Sequence, residues 1–151
     1  MIKTVLALTA AALLAAPAAT TDQTDVVATV KQFVVAFNAG DTTAMAAACA
    51  PQAVIIDEFP PHVWSGANAC IVWANAFNAD AEMNKITEPV VTLGKTTHVD
   101  VTGNVAYVVM MANYTFKKNG KPVKETNSIL TISLAKGAGG WKMTGWAWAK
   151  H

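Results

Sequence analysis

The chain has 151 residues, enough for one domain and short for two. Apolar residues make up 53% and charged residues 14%, which excludes a disordered chain, because such chains bury too little apolar surface to fold. All 11 basic residues are lysines, set against 10 acids, so the arginine forks and basic face of a nucleic-acid binder are missing and no such partner is expected.

The first segment reads as an export address. Met1-Ile2-Lys3 is a short positive start, and Val5 to Ala16 is apolar apart from Thr9. Ala16-Pro17-Ala18 then fits a small-x-small cleavage pattern. The expected division is a signal peptide over 1–18 and one domain over 19–151. The apolar run falls short of the roughly 20 residues that span a bilayer, so no membrane partner is expected. Loss of Lys3 leaves lysines and acids equal in number. The expected product is periplasmic or secreted. In that compartment Cys49 and Cys70 are free to form a bridge. The alternative is two small buried residues in alanine-rich segments. No histidine or second cysteine lies at ligand spacing from either, so no metal site is expected.

Helices come first. Val26, Val30, Phe33 and Phe37 share one face of a helix over Asp22–Asn38. Gly40 ends it, and Asp41 caps a short helix over Thr42–Cys49. Ala53–Phe59 is strand-like and is closed by Pro60-Pro61. Ser65 is read as the cap of a third helix reaching about Asn84, with Ala69, Trp73, Ala76 and Phe77 on one face.

Strands follow from Pro89: Pro89–Leu93, Thr96–Val101, Val105–Lys117, Val123–Leu134 and Trp141–Ala149. Asn119-Gly120 is the strongest hairpin signal, since both residues tolerate positive φ. Helices first and a meander after them predict an α+β domain.

Val26 to Gly66 carries a distinctive order of parts. A helix ends in Phe37-Asn38-Ala39-Gly40-Asp41, a short helix follows, a strand bears an acid, and Ser65-Gly66 comes next. With the long hairpin through Lys117–Lys121 and the glycine-rich last turn, this resembles the ketosteroid-isomerase-like branch of the nuclear transport factor 2-like superfamily, which includes the SnoaL-like domains. The resemblance covers essentially all of 19–151. It implies three N-terminal helices packed on a curved antiparallel sheet that forms a cone-shaped, largely apolar pocket. Its general base, an aspartate on the first strand, falls on Asp57. A carboxylate at an apolar mouth is desolvated and becomes a better base near neutrality. The two donors that stabilise an enolate in that branch fall on Phe33 and about Ile132, neither of which can donate. Steroid isomerisation is therefore disfavoured.

The remaining candidates surround this position. Adjacent strand residues point to opposite faces, so only one of Asp57 and Glu58 should face the pocket, and Asp57 is preferred. His62 is the candidate proton partner. Phe33, Phe37, Trp64 and Trp73 are the expected apolar walls. Asn113 and Asn127 interrupt apolar strands and are read as ligand-orienting amides. His98 is read as a surface residue. Trp146 and Trp148 share strand parity with Lys142 and Thr144, which suggests an outer-face homodimer contact. The reading reached is an exported domain that binds a small apolar or semi-polar molecule without a cofactor. The alternatives are an acid–base enzyme of isomerase, dehydratase, cyclase or epoxide hydrolase type, with Asp57 as base, and a dimerisation module without a ligand.

Overall fold

The computed structural model describes residues 21–151; the signal-peptide reading of 1–18 lies outside the described residues. Helix α1 spans Thr21–Ala39 and α2 spans Thr42–Ala48. Val26, Val30 and Phe33 form the buried stripe of α1. Asp41 caps α2 by accepting a hydrogen bond from the Ala44 N–H at 2.9 Å. Strand β1 covers Cys49–Ile56 and β2 covers Val63–Ala67. Helix α3 covers Ala69–Met83. Strands β3 (Ile86–Thr102), β4 (Val105–Lys118), β5 (Lys121–Gly137) and β6 (Gly140–Ala149) complete the chain.

These strands make one sheet in the order β2-β1-β6-β5-β4-β3. Three helices cover one face of this open, curved sheet, which is the α+β architecture that the element order implies. The sheet is mixed, however. β1 runs parallel to β6, while every other pair is antiparallel. Helices α1 and α2 precede β1, and the whole meander lies between it and β6, so the chain returns in the same sense beside it.

The third helix starts later than the sequence suggested. Val63 to Ala67 pair with the edge of β1, so Ser65 lies in a strand rather than at a cap. Asn68, at φ 56°, turns the chain into α3, and its carbonyl accepts from the Ile71 and Val72 N–H groups. At the β4–β5 hairpin, Asn119 and Gly120 have φ of 51° and 76°, the geometry that this dipeptide favours.

The core lies between helices and sheet. Val26 and Val30 of α1 are fully buried together with Ile55, Ile132 and Met143. Each such side chain contributes roughly 1.5–3 kcal/mol of apolar burial. Cys49 and Cys70 are joined in a disulfide that ties the start of β1 to the first turn of α3.

Two β-bulges decide what faces the concave side. In β6, Met143 pairs with Leu134 and Gly145 with Ser133, which leaves Thr144 as an extra residue. Trp141 and Met143 are buried before it, and Trp146 is buried after it. The bulge thus changes which alternate residues point inward. In β5 the register shifts opposite Asn113, where Asn127 adopts φ 62°. Ser128 and Leu130 are buried on one side of this shift, and Glu125 faces inward on the other.

Candidate functional site

The concave side encloses a cavity of about 360 Å³ between α1, α3 and the strands. Aromatic rings dominate its wall: Phe33 and Phe37 from α1, Trp73 and Phe77 from α3, and Trp146 and Trp148 from β6. Trp73 stacks on Phe77 at 5.7 Å, while other pairs meet edge-on, as Trp73 and Trp146 do at 4.8 Å and Phe37 and Phe77 at 5.1 Å.

Asp57 borders this cavity. β1 stops at Ile56, and the chain turns back through Pro60-Pro61, with the Asp57 N–H donating to the His62 carbonyl at 3.0 Å. The carboxylate accepts two hydrogen bonds. The Trp73 indole N–H donates to Oδ2 at 2.8 Å, and the Glu58 backbone N–H donates to Oδ1 at 2.7 Å. Burial nevertheless wins and pushes its pKa up to about 6 from an ordinary 3.8, with the two donors opposing.

Glu58 also borders the cavity, contrary to the expectation that only one of the pair would. Strand alternation does not apply here, because both residues lie in the turn beyond β1. Burial raises the Glu58 pKa, and a hydrogen bond from Lys150 opposes it. Lys150 bridges two acids, reaching Glu125 at 2.6 Å and Glu58 at 2.9 Å. Its own pKa is raised, first by Glu125 and then by Glu58.

Tyr114 of β4 is 9% exposed, and its hydroxyl has no partner. Burial pushes its pKa well up, helped by the nearby Glu125 and Asp57 carboxylates, so it stays protonated and able to donate. The indole N–H groups of Trp146 and Trp148 are also buried without partners. These three side chains line the cavity with Asp57.

Several expectations require correction. Trp146 and Trp148 are wall residues of the cavity rather than an outer-face contact, because the Thr144 bulge reverses strand parity. His62 is exposed; its Nδ1 lies 3.2 Å from the Asp57 backbone carbonyl oxygen, and the structure does not bring the ring to the carboxylate. Trp64 is buried against Phe59 at 4.8 Å and does not border the cavity. Asn113 and Asn127 build the β5 bulge: the Asn127 N–H donates to Asn113 Oδ1 at 3.1 Å. Asn serves there because its short amide tolerates left-handed backbone. Phe33, Phe37 and Trp73 do line the cavity. His98 sits beside Tyr107 at 5.9 Å, away from the site. Sequence reasoning missed Tyr114, Glu125 and Lys150. The available signal was an acid and a tyrosine within otherwise apolar or lysine-rich strands, and it was masked by the bulge.

Among the described residues, no group of three histidine, cysteine or acidic side chains is placed to hold a metal. Nor is any described helix long and apolar enough to cross a membrane.

Solved structures share this architecture. A nuclear transport factor 2-like protein from Salmonella enterica serovar Typhimurium superimposes with a TM-score of 0.72 at 17% identity, covering 86% of this chain and 91% of its own. A ketosteroid isomerase-like protein from Erwinia carotovora atroseptica gives 0.68 at 16% identity, over 86% and 96% of the two chains. A Mycobacterium tuberculosis protein of unknown function gives 0.68 at 14% identity, over 85% and 70%. At such identities the likeness establishes the fold. No curated protein matches the chain. The SnoaL-like domain family matches residues 26–147, nearly the whole described chain, and the protein belongs to that family.

Proposed function

We propose that the cavity binds a small, largely apolar carbonyl compound and that Asp57 moves a proton on it. The observation that carries this reading is a carboxylate raised to about 6 at the edge of an aromatic cavity. Such a base is ionised at neutral pH yet basic enough to accept a proton. It would take a proton from the carbon next to the carbonyl. The C–H electron pair becomes a C=C bond, and the carbonyl oxygen takes the charge as an enolate. Tyr114 O–H and the Trp146 and Trp148 N–H groups are the unpartnered donors available to that oxygen. They would stand in for the donors absent at Phe33 and Ile132. In a substrate with a β,γ double bond the enolate extends over that bond, and return of the proton from Asp57 to the γ-carbon, with the carbonyl re-formed and the double bond shifted to α,β, completes an isomerisation with nothing consumed.

The test is α-proton exchange in D₂O, followed by proton NMR over a panel of small enones and hydroxy ketones. Exchange catalysed by the wild type and abolished in Asp57→Asn supports the reading. Equal exchange in both proteins removes it.

We also propose export, supported by the leader-like segment and by a disulfide of the kind that persists in oxidising compartments. N-terminal sequencing of the mature protein should begin at Ala19 or one or two residues later, and an intact Met1 would refute it. Self-association is a separate proposal. With Trp146 and Trp148 inside, its place is the outer sheet face, where Val105, Tyr107 and Ile129 are exposed. A monomer in sedimentation at high micromolar concentration would remove it.

A further inference from the structure

We infer that the cavity selects an organic cation, a molecule joining an apolar body to a positively charged ammonium group. This rests on the reading of the cavity as a small-molecule site and names the ligand's charge, which that reading leaves open.

Three observations converge. First, the charge at the cavity is unbalanced. Asp57, Glu58, Asp80 and Glu125 border it, against Lys118 and Lys150 alone. Lys150 is shared between Glu58 and Glu125, so the lysines leave an acid excess. Second, an acceptor is left over. The Glu125 side chain is only 8% exposed, and its Oε2 is buried without a partner, while Oε1 holds Lys150. A buried carboxylate oxygen lacking a partner is costly unless a cation or donor answers it. The β5 bulge is what turns this acid toward the cavity. Third, the wall is aromatic. Trp73, Trp146, Trp148 and Tyr114 line the same space, and indole and phenol rings attract ammonium groups.

Each alternative ligand charge does worse. An anion would find the Tyr114, Trp146 and Trp148 donors but would meet the excess carboxylates. A neutral apolar molecule would fill the volume but leave Glu125 Oε2 unanswered. A cation gains from the aromatic wall and from the carboxylates at once.

The experiment compares benzyltrimethylammonium with its uncharged carbon isostere, neopentylbenzene. Both probes have the same shape, and the ammonium charge does not depend on pH. Binding is read from quenching of tryptophan fluorescence at pH 8. The cation should bind at least about tenfold more tightly than the isostere. Glu125→Gln, checked for folding by its thermal melt, should weaken the cation severalfold and leave the isostere unchanged. The wild-type comparison needs no variant, so a misfolded mutant does not blunt the test. Equal binding, tighter binding of the isostere, or no binding of either probe would overturn the inference. Failure of the proton-transfer reading shows up elsewhere, as α-exchange indifferent to Asp57→Asn, and leaves the cation preference standing or falling by itself.

Discussion

Asp57→Asn should make the protein more stable at pH 8 than at pH 4, relative to wild type. In the folded state the Asp57 pKa is about 6, against an ordinary value of 3.8. Between those values the folded protein holds a proton that the unfolded chain has released. Stability therefore falls as pH rises through this window, by about 1.4 kcal/mol per pH unit. A gap of about 2 pH units gives a loss of roughly 3 kcal/mol, complete above pH 6 and absent below pH 4. Asparagine is uncharged throughout and similar in shape to the protonated acid, so the variant escapes the loss. Taking the difference between the two proteins cancels groups that do not interact with Asp57. The assay is urea unfolding of both proteins at several pH values from 4 to 8. The variant should gain on the wild type by roughly 3 kcal/mol across that range, and most of the gain should appear between pH 4 and 6. A flat difference, or one that falls with rising pH, would refute the claim that burial outweighs the Trp73 and Glu58 donors.

Other perturbations reach different parts of the structure. Trp73→Phe removes the N–H that lowers the Asp57 pKa, so the midpoint should rise above that of wild type; carboxyl-carbon NMR showing an unchanged or lower midpoint would contradict this. Gly145→Ala would place a methyl group 2.7 Å from the Val54 carbonyl oxygen, within the parallel β1–β6 pair, and should cost about 2 kcal/mol or more in chemical unfolding. Breaking the Cys49–Cys70 bridge frees a loop of 21 residues and should cost about 3 kcal/mol, read as a lower melting temperature after reduction; two free thiols in the unreduced, denatured protein would refute the bridge.

Helical periodicity was the most legible feature of the sequence. Val26, Val30 and Phe33 repeat along one face, and nothing in the fold competes with that pattern. Turn chemistry was equally direct at Asn119-Gly120, where two positive φ angles demand such residues. Strand parity failed for Asp57 and Glu58 because both lie in the turn beyond β1, and for Trp146 and Trp148 because of a bulge. A single inserted residue at Thr144, or at the Asn113–Asn127 contact, reverses every side chain beyond it. That reversal carried Trp146 and Trp148 inward and hid Glu125 from sequence reasoning. Ser65 was misplaced because the β1 edge needed a partner, and this long-range pairing outweighed a local capping preference. Asp57 was found through the family resemblance, whose general base falls at this position after an apolar strand. Its neighbours Trp73, Tyr114 and Lys150 come from three other parts of the chain, which only the folded sheet assembles.

The central claim is that this cavity holds a carboxylate poised for proton transfer. Its most direct measurement is the pH titration of the Asp57 carboxyl carbon by NMR from pH 3 to 9, assigned by the loss of its signal in Asp57→Asn. The account predicts a midpoint near 6. A midpoint at or below the ordinary value of about 3.8 would contradict it.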